Sequence, residues 1–347
     1  MICRFIKKLT AIAATLVTAA IISPASAIEP TWSVDFSSVF DNREGDDKMY
    51  EDKTFFFTTL APEIGLKLTD KDRIAGGAVW NQPLENGIKD GKIYPTLYYR
   101  HESDRWKFSM GMFPRTQLRE PLPGFLWCDS LQYFQRNIRG ALVQYEEKNG
   151  FFDAYIDWRQ MQTETRREAF NIVFHGEWRP KAKALLLGGH AMMNHYAKTR
   201  HADDSQSIVD NFLVNPYVGL DFSHKTALDS LVVKAGALLT IERYREYNGW
   251  KTPGGFWLDA TFEYKWLGLH NSLYAGGKLF PLYQTFGTQL YLGESYYQSD
   301  FYNRTDVYAH VYRNKYVDLE AQLNFNFAKD NFMFYQRLVL NINIGNL

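Results

Sequence analysis

The side chains best suited to act on another molecule are charged, and they fall into two sets. Arg115, Arg119, Glu120, Asp129 and Arg136 lie in Pro114–Asn137, a segment without a sustained strand or helix period. Arg159, Lys234, Glu242, Asp259, Glu263 and Lys265 lie in alternating segments, each opposite an apolar face. Neither set spells a bond-making motif: no local pattern for nucleophilic or metal chemistry is present. His175, His190, His270 and His310 share the parity of the polar faces. His190 and His195 are an odd number of residues apart, face opposite sides of one strand and make a poor metal pair. The chemistry these charges fit is non-covalent and needs no cofactor. Opposite signs across a low-dielectric gap produce a transverse field that orders water and sorts solutes by charge and dipole. The competing role for each loop charge is a solvated group at a loop tip.

The elements that must carry these residues are strands. From Tyr316 to Phe327, Val317, Leu319, Ala321, Leu323, Phe325 and Phe327 alternate with Asp318, Glu320, Gln322, Asn324 and Asn326. A period of two puts each set on one face of a strand. At about twelve residues it is roughly twice the commonest soluble strand and suits a membrane crossing, apolar toward lipid and polar toward a lumen. Leu319, Leu323 and Phe327 are expected to meet lipid or a neighbouring subunit, and Asp318, Glu320, Asn324 and Asn326 to meet water. The pattern recurs: Trp106, Phe108, Met110 and Met112 oppose Lys107, Ser109 and Gly111, and Phe152, Ala154, Ile156 and Trp158 oppose Asp153, Tyr155, Asp157 and Arg159. Phe170, Ile172, Phe174 and Trp178 likewise oppose Asn171, His175, Glu177 and Arg179.

Connections alternate in length. Short polar turns near 69–72, 102–104, 148–150, 180–183, 225–229, 267–268 and 314–315 interleave with longer segments near 42–53, 85–91, 114–137, 161–168, 198–207, 245–255 and 281–303. A further short turn at 329–330 falls on the long-loop side. Short turns on one side and loops on the other is the asymmetry of an outer-membrane barrel. The fold expected is all-β: a transmembrane antiparallel up-and-down barrel of about sixteen strands, with 14 or 18 as alternatives. Residues 28–347 form it as a single domain with no plug.

Residues 1–27 read as a cleaved export signal: Arg4, Lys7 and Lys8, an apolar run Leu9–Ile22, then Ala25-Ser26-Ala27. Without them 36 of the 39 basic residues remain against 39 acidic ones, a balance of −3 that argues against nucleic-acid binding. Of the two cysteines only Cys128 stays, so no internal disulfide forms. Aromatics make up 16% of the chain, which fits girdles at two membrane interfaces. Tyr283, Phe286, Tyr291, Tyr296, Tyr297, Phe301 and Tyr302 are expected to serve girdle and loop packing, with an aromatic sugar path as the alternative.

With this architecture over nearly the whole mature chain, the sequence resembles the Gram-negative outer-membrane porins, sixteen-stranded diffusion channels. The resemblance implies residence in the outer membrane, contact with its lipids, an aqueous path for small hydrophilic solutes, a homotrimer, and no enzymatic activity. It also implies a third outer loop folded into the lumen, the position held here by Pro114–Asn137. Pro121, Pro123 and Gly124 fix a turn there, and Leu122, Phe125, Leu126 and Trp127 can pack on the inner wall. The chain departs from the family in ending on Leu347 rather than an aromatic residue, and in lacking an acidic Pro-Glu-Phe-Gly-Gly run in that loop. The function expected is a passive channel narrowed at 114–137. The alternatives are a channel selective for sugars, anions or apolar solutes, an outer-membrane barrel enzyme, and an exported soluble β-sandwich that binds a ligand.

Overall fold

The computed structural model of the chain describes residues 28–45, 52–85, 87–180, 184–202, 205–329 and 331–347. The export signal expected at 1–27 lies outside them. Sixteen strands form one closed antiparallel barrel in which every neighbour in sequence is a neighbour in space. They are β1 (Glu29–Gly45), β2 (Lys53–Lys67), β3 (Asp72–Pro83), β4 (Lys92–Glu102), β5 (Trp106–Pro114), β6 (Asn137–Glu147), β7 (Gly150–Gln160) and β8 (Ala169–Trp178). Then follow β9 (Leu185–Tyr196), β10 (Val209–Asp221), β11 (Ser230–Tyr244), β12 (Gly254–Tyr264), β13 (Leu267–Gly276), β14 (Phe301–Arg313), β15 (Val317–Ala328) and β16 (Asn331–Gly345). β1 closes on β16 from Ser33↔Gly345 to Gly45↔Met333, so no edge is left for lipid to strip.

Alternation decides which way each side chain points. Leu97 and Met110 are each 60% exposed on the outer surface, as apolar groups are when acyl chains are their solvent. Trp32, Trp106, Trp178 and Trp266 ring the periplasmic end. At the outer end Trp158, Phe170 and His195 stack face to face, with centroids 4.8 and 4.7 Å apart. Asn271, Asn303 and Thr305 break the apolar band on β13 and β14. They satisfy one another, Asn271 Nδ2 donating to Thr305 Oγ1 at 2.8 Å, since an unpaired amide is costly in hydrocarbon.

The core sits inside the barrel, which is unusual for strands of this polarity. Phe125, Leu126, Trp127, Leu290, Tyr296 and Tyr297 come from two outer-side loops and pack against Leu186, Leu213, Leu238, Trp257 and Tyr274 of the inner wall. This corrects two expectations. Asn324 and Asn326 do not meet water: they are buried, bonded to Asp306 and Tyr302. For the tyrosines of 283–297 the expected loop packing is present and the girdle is not: Tyr291, Tyr296 and Tyr297 are buried inside the barrel and Tyr283 packs against them.

Candidate functional site

Loop 115–136 leaves β5 and runs down the inner wall before crossing the lumen. Arg115 stacks on Trp127 with its guanidinium carbon 3.8 Å from the ring centroid, and pairs with Asp157 of β7 at 2.7 Å. Gln117 accepts hydrogen bonds from Arg100 of β4 at 2.5 Å and from Ser109 of β5 at 2.7 Å. The Arg119 amide donates to Asp153 at 3.1 Å, and its guanidinium meets Glu146 near the periplasmic end. Glu120 lies 3.9 Å from His175, whose ring stacks on His190 with centroids 4.1 Å apart. The Pro121–Gly124 turn then carries Phe125 to the middle, edge-on to His190, Trp257 and Tyr297.

A short helix, α1 (Asp129–Phe134), follows on the far side. Asp129 Oδ2 accepts from Arg304 Nη1 of β14 at 2.8 Å and from Arg337 of β16. Arg337 Nε also faces Asp41 of β1 at 3.2 Å, and Asp41 pairs with Arg43 at 2.8 Å. The result is a continuous run of opposite charges from Asp259 through His270, Asp306, Arg304, Asp129, Arg337 and Asp41 to Arg43. Burial raises the Asp129 carboxyl, yet Arg304, Arg337 and Arg43 together hold it well below the usual carboxylate range. Arg136 closes the loop, donating to Ser37 at 2.7 Å.

Loop 277–300 enters from between β13 and β14 and meets the first loop backbone to backbone. Cys128 N–H donates to Leu292 O at 2.7 Å, Glu294 N–H to Gly124 O at 2.7 Å, and Asp129 N–H to the Glu294 carboxylate at 2.8 Å. Gly293 permits this approach, since a Cβ there would overlap the Phe125 carbonyl. Burial, and then the charge of Asp129, pushes the Glu294 carboxyl up.

The expected loop set thus lies in the lumen, where its members make separate contacts and do not form one ring. Among the wall residues, Arg159 donates to Gln289 O at 3.2 Å and Asn194 at 2.8 Å, Lys234 pairs with Glu177 at 2.6 Å, and Glu242 accepts from Tyr291. Asp259 accepts from His270 at 2.9 Å and Glu263 from Tyr308 at 2.7 Å. Lys265 is not on the wall. It sits in the turn after β12 at φ 54°, its ammonium 5.0 Å from the outward ring of Tyr264. The reading of the sequence missed Asp41, Arg43, Glu294, Arg304 and Arg337. Strand parity was the one signal in the sequence that could have placed Asp41, Arg43, Arg304 and Arg337 on the inner face.

His175, His190, His270 and His310 all face inward and bond to Tyr217, Asn215, Asp259 and Asp318 respectively. Their partners are a phenol, an amide and two carboxylates, not a serine or cysteine. His195 faces out at the outer end of β9, its Nε2 3.8 Å from Glu168.

A family profile described as "Lipid A 3'-O-deacylase-type" matches residues 22–346. The chain belongs to this family. Among curated proteins none is similar to it in sequence. Its fold is similar to that of solved Gram-negative porins. OccK2 (OpdF) of Pseudomonas aeruginosa, in complex with glucuronate, aligns at TM-score 0.53 and 8% identity, over 92% of this chain and 99% of that one. OccD3 (OpdP) of Pseudomonas aeruginosa aligns at 0.54 and 10% over 92% of both chains. OmpF of Salmonella typhi, in complex with daunomycin, aligns at 0.51 and 10%, over 90% of this chain and 97% of that one. At such identity the likeness is one of fold, and the fold with its lipid-facing band is that of a Gram-negative outer-membrane barrel.

Proposed function

We propose that this member of the family is a narrow solute channel whose path is set by the two loops in its lumen. The observation that carries the reading is the course of 114–137: it runs inside the barrel and binds charged wall groups on opposite sides, from Asp157 to Arg304 and Arg337. The periplasmic half beside β12–β16 keeps Asp259, Glu263, His270 and Glu320 partly exposed, a charged vestibule beneath the packed loops. A path this filled favours selective, small-solute permeation over general diffusion. Arg119 and Glu120 line this path as its accessible loop charges, and Arg115, Asp129 and Arg136 anchor the loop to the wall. The purified protein in planar bilayers is expected to give small, ion-selective conductance steps. Absence of conductance and of solute flux from a folded barrel would sink the reading.

A second reading follows from the family's description and two outward-facing polar clusters at the outer rim. Ester hydrolysis of an outer-leaflet lipid needs a base at the outer rim, facing lipid. His195 with Glu168, 3.8 Å apart, is such a pair; Asn42, Glu44 and Thr54, hydrogen-bonded at the outer ends of β1 and β2 on the opposite side of the barrel, are a separate candidate. Mass spectrometry of lipid A from cells expressing the protein, wild type against His195→Ala and Asn42→Ala, tests it. An unchanged acyl-chain count with wild type rules it out.

A further inference from the structure

The Asp129 carboxylate has an unusual setting. Its two guanidinium partners are backed by wall carboxylates: Arg304 Nε donates to Asp306 at 2.8 Å, and Arg337 Nε lies 3.2 Å from Asp41 in an ion pair without a hydrogen bond. Arg304 Nη1 and Arg337 Nη2 then meet at the Asp129 Oδ2 atom, while Arg337 Nη1 reaches Gln322 of β15 at 3.5 Å. Arg43, Arg304 and Arg337 set three cations against the two wall carboxylates Asp41 and Asp306. Every one of these five groups is on a strand. Asp129, which brings the charges into balance, belongs to a loop. Tyr335 lies beside Arg337, ring centroid 5.2 Å from the guanidinium carbon, and excludes water from one side. Two preorganised, charge-assisted donors converging on one oxygen are the recognition chemistry of a carboxylate.

We propose that Arg304 and Arg337 form a binding site for the carboxylate of a passing solute, and that Asp129 fills it here as the chain's own stand-in. Solute arrival and loop release are then a single exchange. Removing Asp129 without a replacement leaves two desolvated cations facing each other, so the loop stays in place until another carboxylate takes over. A neutral solute of the same shape has no means of displacing it. The site rests on the channel reading, because the carboxylate must reach the lumen.

Cys128 reports the exchange directly. It is the only cysteine once the leader is removed, adjoins Asp129, and has its thiol pushed up to about 12 by burial, so it reacts slowly while the loop is docked. The mature protein is treated in detergent with a water-soluble maleimide, in acetate or in acetamide, with ionic strength matched by chloride. Acetate is expected to speed Cys128 labelling about tenfold over acetamide. Asp129→Asn should label fast in both, and Arg337→Gln should lose the difference. Arg337→Lys, which keeps the charge without the fork, should retain a reduced response if the Gln variant does not fold, as judged by heat-modifiable gel mobility. Equal rates in acetate and acetamide overturn the proposal, as does an undiminished acetate response in either Arg337 variant. Bilayer recordings separate the two readings. A silent barrel that still exposes Cys128 in acetate defeats the channel and keeps the site, whereas a conducting barrel with acetate-blind labelling does the reverse.

Discussion

The two loops in the lumen are held by different physics. Loop 115–136 adds charge to packing: Phe125, Leu126 and Trp127 are buried in the core, and around them Arg115 is tied to Asp157, Arg119 to Glu146, and Asp129 to Arg304 and Arg337. Loop 277–300 is tied by volume, with Leu279, Phe280, Leu282, Leu290, Leu292 and Tyr297 buried, and with wall side chains reaching its backbone carbonyls at Gln289 and Leu290. The distinction bears on which one moves. A charged contact can be exchanged for a solute of like charge, whereas a packed leucine has no counterpart in an aqueous solute. The charged stretch of the first loop around Asp129 is therefore the displaceable part, and the core shared by Phe125, Leu126 and the second loop is the surface it docks on.

The strongest way to break that comparison is to remove a cation from the charged anchor. Arg337→Met leaves Asp129 and Asp41 short of a partner and is expected to cost about 3–5 kcal/mol, the penalty for an uncompensated buried charge. Urea unfolding in lipid vesicles measures it, and a loss below about 1 kcal/mol would mean the run of charges is not holding the loop. Leu290→Ala should cost about 2–5 kcal/mol by the same assay through the cavity it leaves, yet leave the reversal potential in a salt gradient unchanged. A changed ion preference would show that the second loop lines the path.

A smaller effect sharpens the contrast within the first loop. Arg119 and Glu146 are both well exposed, so Arg119→Glu should barely alter stability while shifting the reversal potential toward cations. Smallest is the response to mild acid. Glu294, raised by burial, takes up its proton before Asp129 as pH falls, and its neutral form favours the packed loops. The Asp129 carboxyl, held low, keeps its charge and its contribution, which would be lost only well below the usual carboxylate range. Conductance from about pH 7 to about pH 5 should thus drop slightly, and a marked rise would contradict the assignment.

How far the sequence was legible follows from the same division. Period two runs through most of the wall, interrupted by register shifts at Trp158/Gln160 and His310/Tyr312, because lipid outside and polar groups inside impose it, and the bounds of β15 fall within one residue of those expected. A loop has no such imposed period. Tyr291 and Tyr297 look alike whether they sit at a membrane interface or inside a barrel, and only the packing partners Glu242 and Phe125 decide. Lys265 failed for a simpler reason: strand parity stops where the strand does, one residue earlier. Asp41 and Arg337 were visible only as members of a polar face, since their meeting depends on pairing the first strand with the last.

That meeting has a consequence for assembly. Asp41 and Arg337 stand directly opposite each other across the β1–β16 pairing, the one contact in the wall between strands at opposite ends of the chain. Zipping each hairpin to the next is local and fast, but this last joint must wait for the whole chain, and distant pairings form slowly. Asp129, reaching Arg337 from the lumen while Tyr133 of the same helix donates to Asp41 at 3.0 Å, clasps both sides of the joint from within. The loop is then a fastener as well as a gate: a barrel that closed before receiving it would have to admit it from outside, and one that received it first would close around a part already in place.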